Sequence, residues 1–152
     1  RLLVKNWRPI SLLTTDYKLI AKCLANRMKK VIDKLISYDQ TGYIKGRYIG
    51  ENIRTVHDIM SYLEANNKSG ILLLIDFEKA FDTVKWKMID DSLSFFNFGQ
   101  NFRKWVKILY TNIQSSVMNN GHLTKVFQPR RGVRQGCPLS VYLFILVVEI
   151  LA

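Results

Sequence analysis

A continuous apolar run, 71–75, follows Gly70 and stops on Asp76. A short run of this kind, bounded by Gly, predicts a strand buried on both faces. Elsewhere the spacing is helical. Over residues 14–36, Leu19, Ile20, Cys23, Leu24, Val31 and Leu35 recur at helical intervals, with Thr15 or Asp16 available as a cap. A second stripe, Ile53, Val56, Ile59, Met60 and Leu63, predicts a helix over 51–66. Two more helical segments are expected near 85–97 and 100–112, with Phe95, Phe96, Phe98, Trp105, Leu109 and Tyr110 as core. Residues 115–118 and 123–127 flank Asn120-Gly121, the dipeptide best suited to a two-residue hairpin turn. Pro138 suits a first helical turn, and the following residues to Ala152 are apolar nearly all round, as in a buried helix. Helices, a hairpin and a buried strand in one chain predict an α+β fold.

Between these elements lie three informative connections. Arg8 precedes Pro9 and is therefore pushed towards extended backbone. Residues 37–50 form a Gly-containing loop in which Tyr43, Lys45, Arg47 and Tyr48 interleave rings and cations, as contacts to a single strand do. This loop matches no phosphate-loop pattern, because no GK[ST] occurs. Residues 129–140 read PRRGVRQGCPLS, with Arg130, Arg131 and Arg134 around two glycines and Gln135 before Gly136. A basic, Gly-containing loop at the start of a buried helix suits a phosphate or a base.

Composition narrows the class. The 152 residues are 48% apolar, enough for one domain with a core. No apolar run is long enough to span a bilayer, so no membrane partner is expected. Cys23 and Cys137 form no metal or disulfide spacing and read as free thiols in a reducing compartment. A net charge of +11 points to a polyanionic partner, nucleic acid first. The basic residues of the first helix, Lys18, Lys22, Arg27, Lys29, Lys30 and Lys34, are consistent with a phosphate-backbone track.

The candidate chemistry starts at Asp76. A carboxylate ending a buried strand is costly unless a cation or a set of donors accepts its charge. Glu78 and Asp82 follow closely. Two readings stand side by side: a helix N-terminus that favours acids, or a hard-cation site for phosphate chemistry, since Mg²⁺ is held by one or two carboxylates plus substrate phosphates.

Four stretches then occur in order: NWRPISLL, LANRMKKVIDKLISYDQTGYIKGR, LLIDFEKAFD and RGVRQGCPLS. Together they resemble the reverse transcriptase of non-long-terminal-repeat retrotransposons, the long-interspersed-element type, over essentially the whole chain. The resemblance implies a right-hand polymerase fold, with about 1–69 as fingers and finger–palm helices and about 70–152 as the first part of the palm. It implies RNA-directed DNA synthesis by two-metal nucleotidyl transfer, using an RNA template, a DNA primer, deoxynucleoside triphosphates and Mg²⁺, with Mn²⁺ an alternative. It sets no oligomeric state and implies an intracellular site, nucleus or cytoplasm.

By the same resemblance, Asp76 is the catalytic, metal-binding aspartate and Phe77 adds a backbone carbonyl to a metal. Phe81 is an aromatic gate below the sugar that excludes a 2′-hydroxyl. Arg8 grips the triphosphate, and Gln135 and Gly136 pack against the incoming nucleotide and template base. Lys45, Arg47, Arg130, Arg131 and Arg134 are candidate nucleic-acid contacts. The family's paired Asp-Asp on a later palm hairpin is not found here. Asp90-Asp91 lies in a helical stretch, and the catalytic pair is expected beyond Ala152, leaving the 152 residues catalytically incomplete. Of the family's basic residues upstream of Arg8 that would help hold the triphosphate, Lys5 is left, and Val141 stands where many relatives carry Pro. Two alternatives remain. One is a decayed remnant that only binds nucleic acid. The other is a metal-dependent nuclease using Asp76 and Glu78, which leaves NWRPIS and PRRGVRQGCPLS unexplained.

Overall fold

The computed structural model describes Leu3 and residues 7–152. Lys5 lies outside the described residues. Helix α1 (Thr15–Lys29) is capped by Thr14, whose extended backbone lets its hydroxyl accept from the Tyr17 amide at 3.4 Å. The cap is thus one residue earlier than the Thr15 or Asp16 expected. The helix does not run on to Ile36. At Lys30 and Val31 the amides reach back only three residues, to Arg27 and Met28, which tightens the last turn. Helix α2 (Ile32–Leu35) restarts with a new phase. Ile32 and Ile36 are therefore buried, where the uninterrupted pattern would bury Val31 and Leu35.

The inward stripe of α1 is Ala21, Leu24, Ala25 and Met28. Leu19, Ile20 and Cys23, from the expected stripe, face solvent. Two alanines allow α1 to lie close against helix α6 (Gln100–Leu109), which presents Phe102, Val106 and Leu109. Helix α5 (Trp86–Phe95) packs on both α6 and helix α7 (Ser140–Glu149). Leu139, Leu143, Ile145 and Leu146 are almost completely buried and form the centre of this core. Val141 does not prevent the helix from starting at Ser140. Phe95 and Trp105, expected in the core, are exposed, while Leu109 and Tyr110 are buried as expected.

The hairpin forms as the sequence predicts. Strands β1 (Met118–Asn119) and β2 (His122–Leu123) pair antiparallel, with Met118 opposite Leu123. Asn120 and Gly121 both have positive φ, 48° and 79°, as a primed turn requires. An isolated bridge joins Ser115 to Phe127 further down.

One expectation is overturned. Residues 71–75 are neither a strand nor buried: Ile71 is 99% exposed and Leu74 81%. A strand gains its hydrogen bonds only from a neighbour, and no described segment pairs with this one. Helix α3 (Gly50–Ala65) has the expected span, but none of its residues is buried. Ile53, Ile59 and Met60 of its apolar stripe are exposed, and Leu63 approaches Gly70 locally. The fold is thus a helical core with one small antiparallel hairpin, α+β without the buried central strand.

Candidate functional site

Three separated segments meet beside the N-terminus of α7. The first is the turn around helix α4 (Ala80–Thr83), which begins at Lys79 in the left-handed region, φ 50°. Its carbonyls face the 132–133 segment. The Val133 amide donates to the Phe81 carbonyl and the Gly132 amide to the Val84 carbonyl, both at 2.7 Å. The Trp86 indole Nε1–H donates back to the Gly132 carbonyl at 2.9 Å. Gly132 has φ 95°, and a Cβ there would lie 3.1–3.4 Å from the Asp82 backbone. Only Gly fits this approach without a shift. The Phe81 ring rests on Phe144 of α7, centroids 4.8 Å apart and tilted by 57°.

The second junction joins the chain's start to the same loop. The Ser11 amide donates to the Gln135 carbonyl at 3.0 Å. Gly136, φ 101°, would bring a Cβ to 3.2 Å from the Ser11 carbonyl. The segment after Arg8 therefore lies against the Gln135–Gly136 turn, while the Arg8 side chain itself is exposed.

The third contact is from α1. The Arg134 guanidinium lies 4.5 Å from the centre of the Tyr17 ring. The Cys137 thiol donates to the Tyr17 hydroxyl at 3.9 Å, a weak bond. Burial, then the neighbouring Cys137, push the Tyr17 phenol above its ordinary value. Tyr17 continues the buried α1 stripe at helical spacing, the one signal by which sequence reading could have found it. Trp86 and Ser11 carried no comparable signal, because each is tied to the main chain of a residue distant in sequence, Trp86 through its indole and Ser11 through its amide.

The remaining candidate residues are placed less closely. Asp76 and Phe77 are exposed in an irregular stretch, and Glu78 is exposed in the turn that leads into α4. No three His, Cys, Asp or Glu side chains among the described residues stand together as a metal-holding group. The described residues therefore do not fit a complete divalent-metal centre. Asp90 and Asp91 are accounted for as ion pairs. Arg103 takes Asp90 in a two-pronged bond, both contacts 2.9 Å, and Lys87 lies 2.7 Å from Asp91. The Arg103 hydrogen bond holds the Asp90 carboxyl below its usual range.

Arg47 is mainly structural. Its guanidinium donates to the carbonyls of Ser37, Gln40 (2.8 Å), Ile36 (3.1 Å) and Asp33 (3.3 Å), closing the C-terminal end of α2 and the loop beyond it. The Ser37 amide in turn donates to the Glu149 carboxylate of α7 at 2.8 Å. Lys45, Arg130 and Arg131 are exposed.

Comparison with known proteins matches residues 4–152 to the reverse transcriptase (RNA-dependent DNA polymerase) family. The chain belongs to this family. It is 40% identical over 147 residues to the transposon TX1 uncharacterized 149 kDa protein of Xenopus laevis, covering 97% of this chain. It is 28% identical, over 95% of its length, to the Retrovirus-related Pol polyprotein from type-2 retrotransposable element R2DM of Drosophila melanogaster. A Pol polyprotein from a type-1 retrotransposable element R2 of Nasonia vitripennis is 27% identical over 94% of this chain. The chain spans 11% of the length of the first relative and 14% of each of the other two. No helix among the described residues is long and apolar enough to cross a membrane.

Proposed function

We propose that these residues are part of the fingers (about 1–69) and the first part of the palm (about 70–152) of a non-long-terminal-repeat retrotransposon polymerase, which copies element RNA into DNA. One observation carries the reading. The three segments that the family resemblance assigns to the incoming nucleotide, around Arg8, Phe81 and Gln135–Gly136, converge through main-chain hydrogen bonds at Ser11, Phe81 and Val84. Bonds of this kind fix positions independently of side-chain choice, as a shared binding surface needs.

In this reading Phe81 lies under the sugar of a deoxynucleoside triphosphate and excludes a 2′-hydroxyl. Gly136 lets the backbone approach the base pair, and Arg8 takes the triphosphate. Asp76 and the Phe77 carbonyl form part of a divalent-ion set, Mg²⁺ or Mn²⁺, whose other ligands are not among the described residues. Arg130, Arg131 and Lys45 are free to meet the phosphates of template and primer, whereas Arg47 acts through the loop it holds together. By family type the reaction belongs inside the cell, in nucleus or cytoplasm.

The test is primer extension on an RNA template by the longer protein that contains these residues. Extension is expected with deoxynucleotides and Mg²⁺, and Asp76→Asn should abolish it. Extension retained by that variant removes Asp76 from the reaction. Residues 1–152 alone are expected not to extend a primer. A second reading, a remnant that only binds nucleic acid, is favoured by the +11 charge. Salt-sensitive RNA binding by the longer protein without Mg²⁺-dependent synthesis would establish it instead.

A further inference from the structure

The Phe81 ring hangs from a turn whose position does not come from its own helix. Helix α4 has only four residues, Ala80 to Thr83, and no side-chain cap. Such a short piece cannot hold a ring in register by itself. It is held by Phe144, on which the ring rests, and by the 132–133 segment, bonded to the carbonyls on either side of Asp82. That segment is in turn gripped by one side chain. The Trp86 indole, at the start of α5, donates to the Gly132 carbonyl at 2.9 Å. The indole is itself braced by Tyr110, ring centroids 5.8 Å apart. Trp86 therefore closes a small ring of contacts: Trp86 to Gly132, Gly132 and Val133 to Val84 and Phe81, and the backbone from Val84 to Trp86. Gly132 admits no side chain without pushing on Asp82, so the two strands of this ring cannot drift apart or together freely.

We propose that Trp86 is a positioning residue for sugar selection, holding Gly132 so that the Phe81 ring stays where it meets the 2′ position. The inference rests on the polymerase reading above. In this role Trp86 acts through Gly132 and the Phe81 carbonyl, not on the nucleotide itself. The N–H matters as well as the bulk. Without the donor the Gly132 carbonyl loses its indole partner, and the turn gains freedom.

The experiment compares kcat/KM for a deoxynucleotide and the matching ribonucleotide in the longer protein that contains these residues. The variants are Trp86→Phe, Phe81→Ala and the double variant. A form with benzothienylalanine at position 86 keeps the shape of the indole and replaces its N–H by sulfur. If Trp86→Phe folds poorly, that form carries the test. Loss of one hydrogen bond predicts that discrimination narrows about fivefold in either position-86 variant. It also predicts no further narrowing when Phe81 is already Ala, since the two residues act as one unit. Unchanged discrimination in the benzothienylalanine form, or an equal narrowing in the Phe81→Ala background, overturns the proposal. No extension by the unaltered protein would overturn the polymerase reading and this inference together, whereas extension with unchanged discrimination overturns this inference alone.

Discussion

The Ser11 amide donates to the Gln135 carbonyl at 3.0 Å, tying the segment after Arg8 to the turn before the buried helix α7. Ser11→Pro deletes this donor. The expected cost is about 1 kcal/mol in urea unfolding. An unaltered midpoint would mean that the two segments are not joined in solution.

Gly132 and Gly121 separate two effects of a methyl group. Both have positive φ, 95° and 79°, so both strain an added Cβ. Only at Gly132 does that Cβ also meet backbone, that of Asp82, whereas at Gly121 nothing lies within 4 Å. Gly121→Ala should cost about 1 kcal/mol, and Gly132→Ala roughly twice that or more. Equal losses in thermal unfolding would show that the Asp82 approach relaxes freely.

Arg47 and Lys45 are close in sequence and opposite in role. Arg47→Ala leaves the carbonyls of Ser37, Gln40, Ile36 and Asp33 without their shared donor and should destabilise by about 2 kcal/mol or more. Arg47→Lys should not rescue it, because an ammonium cannot replace the planar fork. Lys45→Ala should stay within about 0.5 kcal/mol. Chemical denaturation of the three variants checks the order.

Alkaline pH should unfold the protein by way of its buried phenols. Burial raises the Tyr17 and Tyr110 pKa values in the folded state, with an ordinary value of 10.0. The unfolded chain thus loses these protons first. The stabilisation is present in full below about pH 10 and is lost as pH rises above it. Tyr17→Phe should flatten the fall, and an unchanged slope in a series of urea titrations across that range would show that Tyr17 ionises freely.

The Asp90–Arg103 pair joins α5 to α6, yet both side chains are partly exposed, 46% and 28%. Solvent screening limits its worth. Asp90→Asn should cost no more than about 1 kcal/mol, with the cost shrinking in high salt. The lowered Asp90 pKa places this contribution above the ordinary carboxylate range, and it is lost as pH falls through that range.

Local chemistry was the part that could be read directly. The Asn120-Gly121 turn, the two helices beginning near residues 86 and 100, and the buried helix after Pro138 all follow from short-range rules. The motif segments carried the resemblance to the reverse transcriptase family, whose match covers residues 4–152. Errors arose where a neighbour decides. In α1 the alanines at 21 and 25 are buried because α6 approaches them, while the bulkier Leu19 and Cys23 face water. No single-residue hydrophobicity ranks them that way.

The amino-acid sequence by itself determined where most of the longer helices lie, where the hairpin turns, and which family the motifs resemble, because those depend on backbone propensity, side-chain period and motif order. The tertiary structure alone decided that Ser11 meets Gln135, that Trp86 meets Gly132, that Arg47 is spent on carbonyls, and that the apolar run 71–75 is exposed among the described residues. Hydrogen bonds between distant main-chain groups carry no side-chain signature, and a strand has no hydrogen-bonded partner until another segment lies beside it.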